Sequence, residues 1–74
     1  MLRIGQLAAE TGFTTKTLRY YEDVGLLRPD RRSESGYRLY SDAAVERLRF
    51  VSRARALGLR LEDIGRILAI SDEG

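Results

Sequence analysis

Apolar residues recur along this chain in helical bursts, the first three each closed by a glycine. Ile4, Leu7 and Ala8 fall at helical spacing ahead of Thr11-Gly12, which predicts a first helix of about two turns ended by the glycine. Thr14 is a good N-cap for a second helix, and Phe13 and Leu18 stand where the two apolar residues of a hydrophobic staple belong. That helix is expected to run to Val24, with Gly25 as a left-handed cap and Leu26 as the apolar residue that follows such a cap. Two short helices joined by a glycine-containing turn make a helix-turn-helix.

The pattern changes at Pro29, which cannot continue a helix. Asp30-Arg31-Arg32 leads into the turn-forming cluster Ser33-Glu34-Ser35-Gly36 and then into Tyr37-Arg38-Leu39-Tyr40, which alternates like a strand. A short hairpin standing beside the second helix as a wing is predicted. Ser41 then reads as an N-cap with Asp42 in the first turn, and Val45, Leu48, Val51 and Ala54 mark the longest helix, over 43–57, ended by Gly58. Leu61, Ile64, Ile67 and Leu68 predict a fourth helix that fades at "SDEG". The expected fold class is mainly α: a winged helix-turn-helix of four helices and a two-stranded antiparallel hairpin. It occupies one domain, 1–74, with the helix-turn-helix at about 4–24, the wing at about 27–40 and the second helix pair at about 42–70.

At about 3.6 residues per turn, Thr15, Lys16, Arg19, Tyr20 and Asp23 share roughly 140° of the second helix. Thr14, Leu18, Tyr21 and Val24 lie opposite and are assigned to the core face. The outward set combines long donors, a hydroxyl and an aromatic ring, which is what a helix reading the major groove needs. Arg donates two parallel hydrogen bonds to guanine, Lys and Thr reach base edges or phosphates, and a ring packs on a thymine methyl or a sugar. A lone Lys-x-x-Arg pair is ordinarily a solvated surface; its place in a helix-turn-helix reverses that reading. The wing adds Arg31, Arg32 and Arg38 with Tyr37, suited to phosphate contact but equally to a charged edge that resists aggregation. Arg53, Arg55 and Arg60 form a further basic group, for which the dipole at the end of the third helix is an alternative explanation at Arg53 and Arg55. Tyr21 and Tyr40 are assigned to the core, Tyr20 and Tyr37 to the surface.

Composition narrows the classes of function. The chain has 74 residues, 43% hydrophobic and 32% charged, so it is a single small domain that should fold. Net charge is only +2, so the placement of 12 arginines and one lysine has to carry any case for nucleic acid. Cys and His are absent, which removes disulfides, the usual zinc ligands and the commonest catalytic base. No paired carboxylates, activated nucleophile or phosphate loop can be assembled, so an enzyme is not expected and no cofactor is implied. There is no signal-peptide core and no run near the roughly 18 apolar residues of a membrane span, so a cytoplasmic location without membrane partners is expected.

The blocks "IGQLAAETGFTTKTLRYYEDVGLL", "RSESGYRLYS" and "RARALGLRLEDIGRIL" together resemble the amino-terminal DNA-binding domain of MerR-family bacterial transcription regulators, from Leu2 to about Ala69. The order of Leu18-Arg19-Tyr20-Tyr21-Glu22, Gly25-Leu26-Leu27, Gly36-Tyr37-Arg38 and Leu57-Gly58 is what makes the resemblance specific. It implies double-stranded promoter DNA as partner, with Thr15, Lys16, Arg19 and Tyr20 on the recognition helix, Tyr37 and Arg38 of the wing on phosphate, and Arg55 as a second backbone contact; Arg32 and Arg60 join them from their placement. It also implies a homodimer in the full-length protein that bends and undertwists a long promoter spacer for RNA polymerase. Two departures stand out. Arg60 replaces the usual Ser or Thr N-cap, which should weaken the start of the fourth helix and favour a phosphate contact. The long dimerisation helix and effector segment are expected beyond this chain, and without Cys it cannot sense metal through thiolates. An excisionase-type architectural protein and a protein-docking module remain the other classes open at this point.

Overall fold

The computed structural model describes residues 1–73; Gly74, the last residue of the expected domain, lies outside them. The chain forms α1 (Ile4–Thr11), α2 (Thr15–Asp23), β1 (Arg31–Arg32), β2 (Arg38–Leu39), α3 (Asp42–Ala56) and α4 (Leu61–Glu73). The strands pair antiparallel, Arg31 with Leu39 and Arg32 with Arg38. This is the expected winged helix-turn-helix.

Local chemistry sets most of the helix ends. Thr14 Oγ1 accepts from the Thr17 backbone N–H at 3.1 Å, and Phe13 packs on the core with its ring 5.5 Å from Tyr21, edge to face. At the other end of α2, Leu26 N–H reaches the Tyr21 carbonyl at 2.8 Å and Gly25 N–H reaches Glu22 at 3.1 Å, the paired bonds of a Schellman cap. The same pair recurs after α3, with Leu59 bonded to Ala54 at 3.1 Å and Gly58 to Arg55 at 2.9 Å. Gly25 and Gly58 have φ of 80° and 93°, which a side chain would oppose. Ser41 Oγ accepts from Ala43 N–H at 3.3 Å, so α3 begins one residue earlier than its apolar stripe suggests.

The core is Leu7, Leu18, Tyr21, Leu26, Leu27, Tyr40, Val45, Leu48, Val51, Ile64 and Leu68, with Ala44 and Ala54. Burying such side chains from all four helices and the base of the wing supplies the main drive for folding. Two of the four residues assigned to the core face of α2 are not there. Thr14 is exposed, because an N-cap must turn its hydroxyl onto free backbone amides. Val24 is 53% exposed, because the chain has already left the helix there and Gly25 redirects Leu26 and Leu27 inward. On α4, Ile67 is likewise 42% exposed, leaving Ile64 and Leu68 as its buried pair.

Three tertiary links go beyond local pattern. Leu2 and Tyr40 exchange backbone hydrogen bonds of 2.7 and 2.8 Å, so the amino terminus extends the wing as an isolated bridge. Asp30 Oδ2 accepts from Ser41 N–H at 2.6 Å, tying the wing's base to the start of α3. The fourth helix, expected to fade near Ser71, continues to Glu73. Arg47 holds it there by a two-pronged contact with Asp72 at 2.8 and 3.1 Å, while its Nε donates to the Leu26 carbonyl at 2.7 Å. That guanidinium lowers the Asp72 carboxyl pKa below its ordinary value.

Candidate nucleic-acid interface

Helix α2 carries Thr15, half-buried, and Lys16, Arg19 and Tyr20, exposed, on its outward side. Leu18 and Tyr21 fix that orientation by filling the core behind them. The wing folds back beside this helix. Its tip closes through Gly36 N–H to the Ser33 carbonyl at 2.9 Å and Tyr37 N–H to Ser33 Oγ at 3.0 Å.

Glu22 joins wing to helix. Its Oε2 lies 2.9 Å from Arg38 Nε, and its Oε1 accepts the Tyr40 hydroxyl. The Glu22 side chain is 12% exposed and Arg38 42%, so the pair sits at the edge of the core with part of the guanidinium facing water. Burial first, then the bonded Glu22 carboxylate, pushes the Tyr40 hydroxyl pKa well above its ordinary value of 10.0.

The result is an open cleft bounded by Arg19 of α2, Gly36, Tyr37 and Arg38 of the wing, and Arg3, Ile4, Gly5 and Gln6 at the start of α1. Arg19, Tyr37 and Arg38 are therefore brought together as the sequence implied. Lys16 lies one turn before Arg19 on the same helix. Arg32 is exposed on β1, and one of its terminal nitrogens donates to the Gly36 carbonyl at 3.0 Å, bracing the hairpin. Tyr20 points elsewhere: with Val24 and Leu26 it borders a second groove whose other wall is Leu61 and Gly65 of α4. Arg55, exposed at the end of α3, and Arg60, exposed before α4, do not line the cleft. Arg60 is 3.8 Å from Glu62, and its carbonyl accepts from Asp63 and Ile64 at 3.0 and 3.1 Å, so α4 starts on backbone bonds without an N-cap hydroxyl.

The distribution of ion pairs sorts the basic residues. Among the described residues, Arg38, Arg47, Arg49, Arg60 and Arg66 each have a carboxylate within 4.0 Å. Arg3, Lys16, Arg19, Arg31, Arg32, Arg53 and Arg55 are not in such pairs, nor is Arg28 in the cleft beside Asp72. Arg49 and Arg66 are neutralised within their own helices. Among the described residues Lys16 and Arg19 of α2 are left without a carboxylate partner, and cations so placed attract an anion.

Arg3, which lines the cleft, and Glu22, which braces it, are not singled out by sequence reasoning. Neither has a local signal: one stands at an N-cap, the other looks like one more charge on an amphipathic helix.

Comparison with known proteins gives the same geometry a lineage. Residues 2–70 match the family model described as MerR HTH family regulatory protein. The chain belongs to the MerR family. It is 44% identical over 70 residues to the mercuric resistance operon regulatory protein of Bacillus cereus, covering 95% of this chain and 53% of that one. Among solved structures, the amino-terminal part of the Bacillus subtilis multidrug transporter activator MtaN superposes with a TM-score of 0.88 at 37% identity, covering 92% of this chain and 64% of that one. HiNmlR, a MerR family regulator lacking the sensor domain and bound to promoter DNA, superposes with a TM-score of 0.87 at 29% identity, covering 99% of this chain and 55% of that one. The chain spans about half the length of the curated relatives it matches. Among the described residues, no helix is long and apolar enough to cross a membrane.

Proposed function

We propose that the chain is the DNA-binding unit of a MerR-type transcription regulator, reading double-stranded promoter DNA with α2 and gripping the backbone with the wing. The observation that carries this is the cleft where α2 and the wing converge, with Lys16 and Arg19 free of carboxylate partners among the described residues. Thr15, Lys16 and Arg19 are the groove-facing set. Arg19, with its paired donors, is the residue that discriminates a base. Arg32, Tyr37 and Arg38 position the wing against phosphates, and Arg55 and Arg60 make outlying backbone contacts, while Tyr20, turned toward the α4 side, is left out of the groove-facing set.

In this reading the full-length protein is a cytoplasmic homodimer and not an enzyme. Two copies engage half-sites about one DNA turn apart, and the two wings of the pair supply the contacts that offset bending and untwisting of the spacer for RNA polymerase. A single chain binds weakly, since the gain from linking two sites is absent.

The experiment is a selection of binding sites from a randomised duplex pool, followed by titrations at several salt concentrations with the wild type and Arg19→Ala. Arg19→Ala should cost about 1–3 kcal/mol at one position of each half-site and relax the preference there. Retained selectivity in that variant would refute the groove assignment, and binding indifferent to salt would point to apolar protein docking instead.

A further inference from the structure

The guanidinium of Arg3 lies 4.0 Å from the centroid of the Tyr37 ring, at the mouth of the cleft that Arg19 and Arg38 also border. The fold does not account for an arginine at this position. Residue 3 is the N-cap of α1, where an acceptor side chain is favoured, and a guanidinium has only donors. The helix start is served instead by Gln6, whose Oε1 accepts the Arg3 backbone N–H at 2.9 Å. Arg3 has no carboxylate within 4.0 Å among the described residues, and its guanidinium lies instead over an aromatic ring that is itself 51% exposed. A stacked guanidinium keeps its charge and its donor edge while losing rotamer freedom before any ligand arrives.

We propose that Arg3 is a further contact to a DNA backbone phosphate and that the Tyr37 ring is the platform that holds it ready. This rests on the DNA-binding reading above. A phosphate diester suits the geometry because guanidinium and phosphate form a paired, charge-assisted contact, and because the cleft continues directly onto the recognition helix through Arg19. The Tyr37 ring then acts through the position of Arg3, separately from the wing contact its hydroxyl makes. A platform that immobilises the side chain in advance also lowers the entropy lost on binding.

The test is fluorescence anisotropy of a labelled mixed-sequence duplex of about 30 base pairs, three helical turns, titrated with this chain at several low salt concentrations. Arg3→Ala should weaken binding several-fold on any sequence, and the slope of log affinity against log salt should become shallower by about 0.9. Arg3→Lys, which keeps the charge but not the planar fork, should retain the slope with part of the affinity. Tyr37→Ala should weaken binding more than Tyr37→Phe, which keeps the ring, and the loss in Arg3→Ala/Tyr37→Ala should be smaller than the product of the two single losses. Wild-type affinity and slope in Arg3→Ala, beside a wild type that binds, would overturn the Arg3 contact and leave the DNA-binding reading intact. Equal losses in Tyr37→Phe and Tyr37→Ala, or losses that multiply in the double variant, would overturn the platform. A wild type that binds no duplex even at the lowest salt and the highest chain concentration, where weak single-site binding shows, would instead bring down the DNA-binding reading itself.

Discussion

Removing the Glu22 carboxylate disconnects the wing from the recognition helix, and the structure allows the cost to be worked out. Glu22→Ala deletes the acceptor of the Tyr40 hydroxyl, a group on a residue with 0% exposure, and the partner of Arg38. A hydrogen bond to a charged group is worth about 1.5–3 kcal/mol, and a buried donor left unpaired accounts for much of that. The Arg38 contact adds little, well under about 1 kcal/mol, because that guanidinium is 42% exposed and screened by water. Glu22→Ala should therefore destabilise the domain by about 2–3 kcal/mol, lowering Tm by roughly 10–20 °C for a chain of this size. Glu22→Gln keeps an oxygen for the phenol and should cost about 1 kcal/mol. Tyr40→Phe removes the donor, so combining it with Glu22→Ala leaves no unpaired phenol, and the double variant should be more stable than the sum of the single losses. Thermal and urea unfolding followed by circular dichroism measure all four. A loss below about 0.5 kcal/mol in Glu22→Ala, or strict additivity with Tyr40→Phe, would refute the reasoning.

Other consequences can be checked on the same material. Gly25→Ala meets open space but forces a side chain onto φ of 80°, so it should cost about 1–2 kcal/mol in an unfolding experiment. Since the folded-state pKa of Tyr40 is raised above 10.0, the unfolded chain loses that proton first as pH climbs. Stability present below pH 10.0 should therefore drain away above it, and Tyr40→Phe should blunt the decline in alkaline melts. Asp72 behaves oppositely: Arg47 lowers its pKa below 3.8, so its contribution exists above that pH and is lost as pH falls through the lower value. Asp72→Asn should leave Tm nearly unchanged while hydrogen exchange quickens in the last turn of α4.

What the sequence reveals directly is local. Thr14, Gly25, Ser41 and Gly58 set helix ends through bonds to neighbours a few residues away, so the boundaries of α2 and α3 follow from the residue types nearly to the residue. Helical spacing likewise separates Lys16 and Arg19 from Leu18 and Tyr21. It misassigns Val24, because periodicity extends on paper through a cap where the backbone has already turned away. The Leu2–Tyr40 bridge, the Arg47–Asp72 clamp, the Glu22 junction and the Arg3–Tyr37 stack all join distant segments through one or two side chains or a single backbone pair. Such contacts depend on how elements pack, which spacing does not encode. The approximate placement of the cleft was legible; the residues that brace it were not.

The central claim is that the cations of α2 and the wing face a duplex. An NMR titration of the isotopically labelled chain with duplex DNA tests it most directly. Shift changes and broadening should concentrate at Lys16, Arg19, Tyr37 and Arg38, with Arg3 among them, and fade as salt is raised. Changes confined to the exposed Ile67 and Ile70 and the Arg47–Asp72 edge of α4, with α2 and the wing silent, would contradict it.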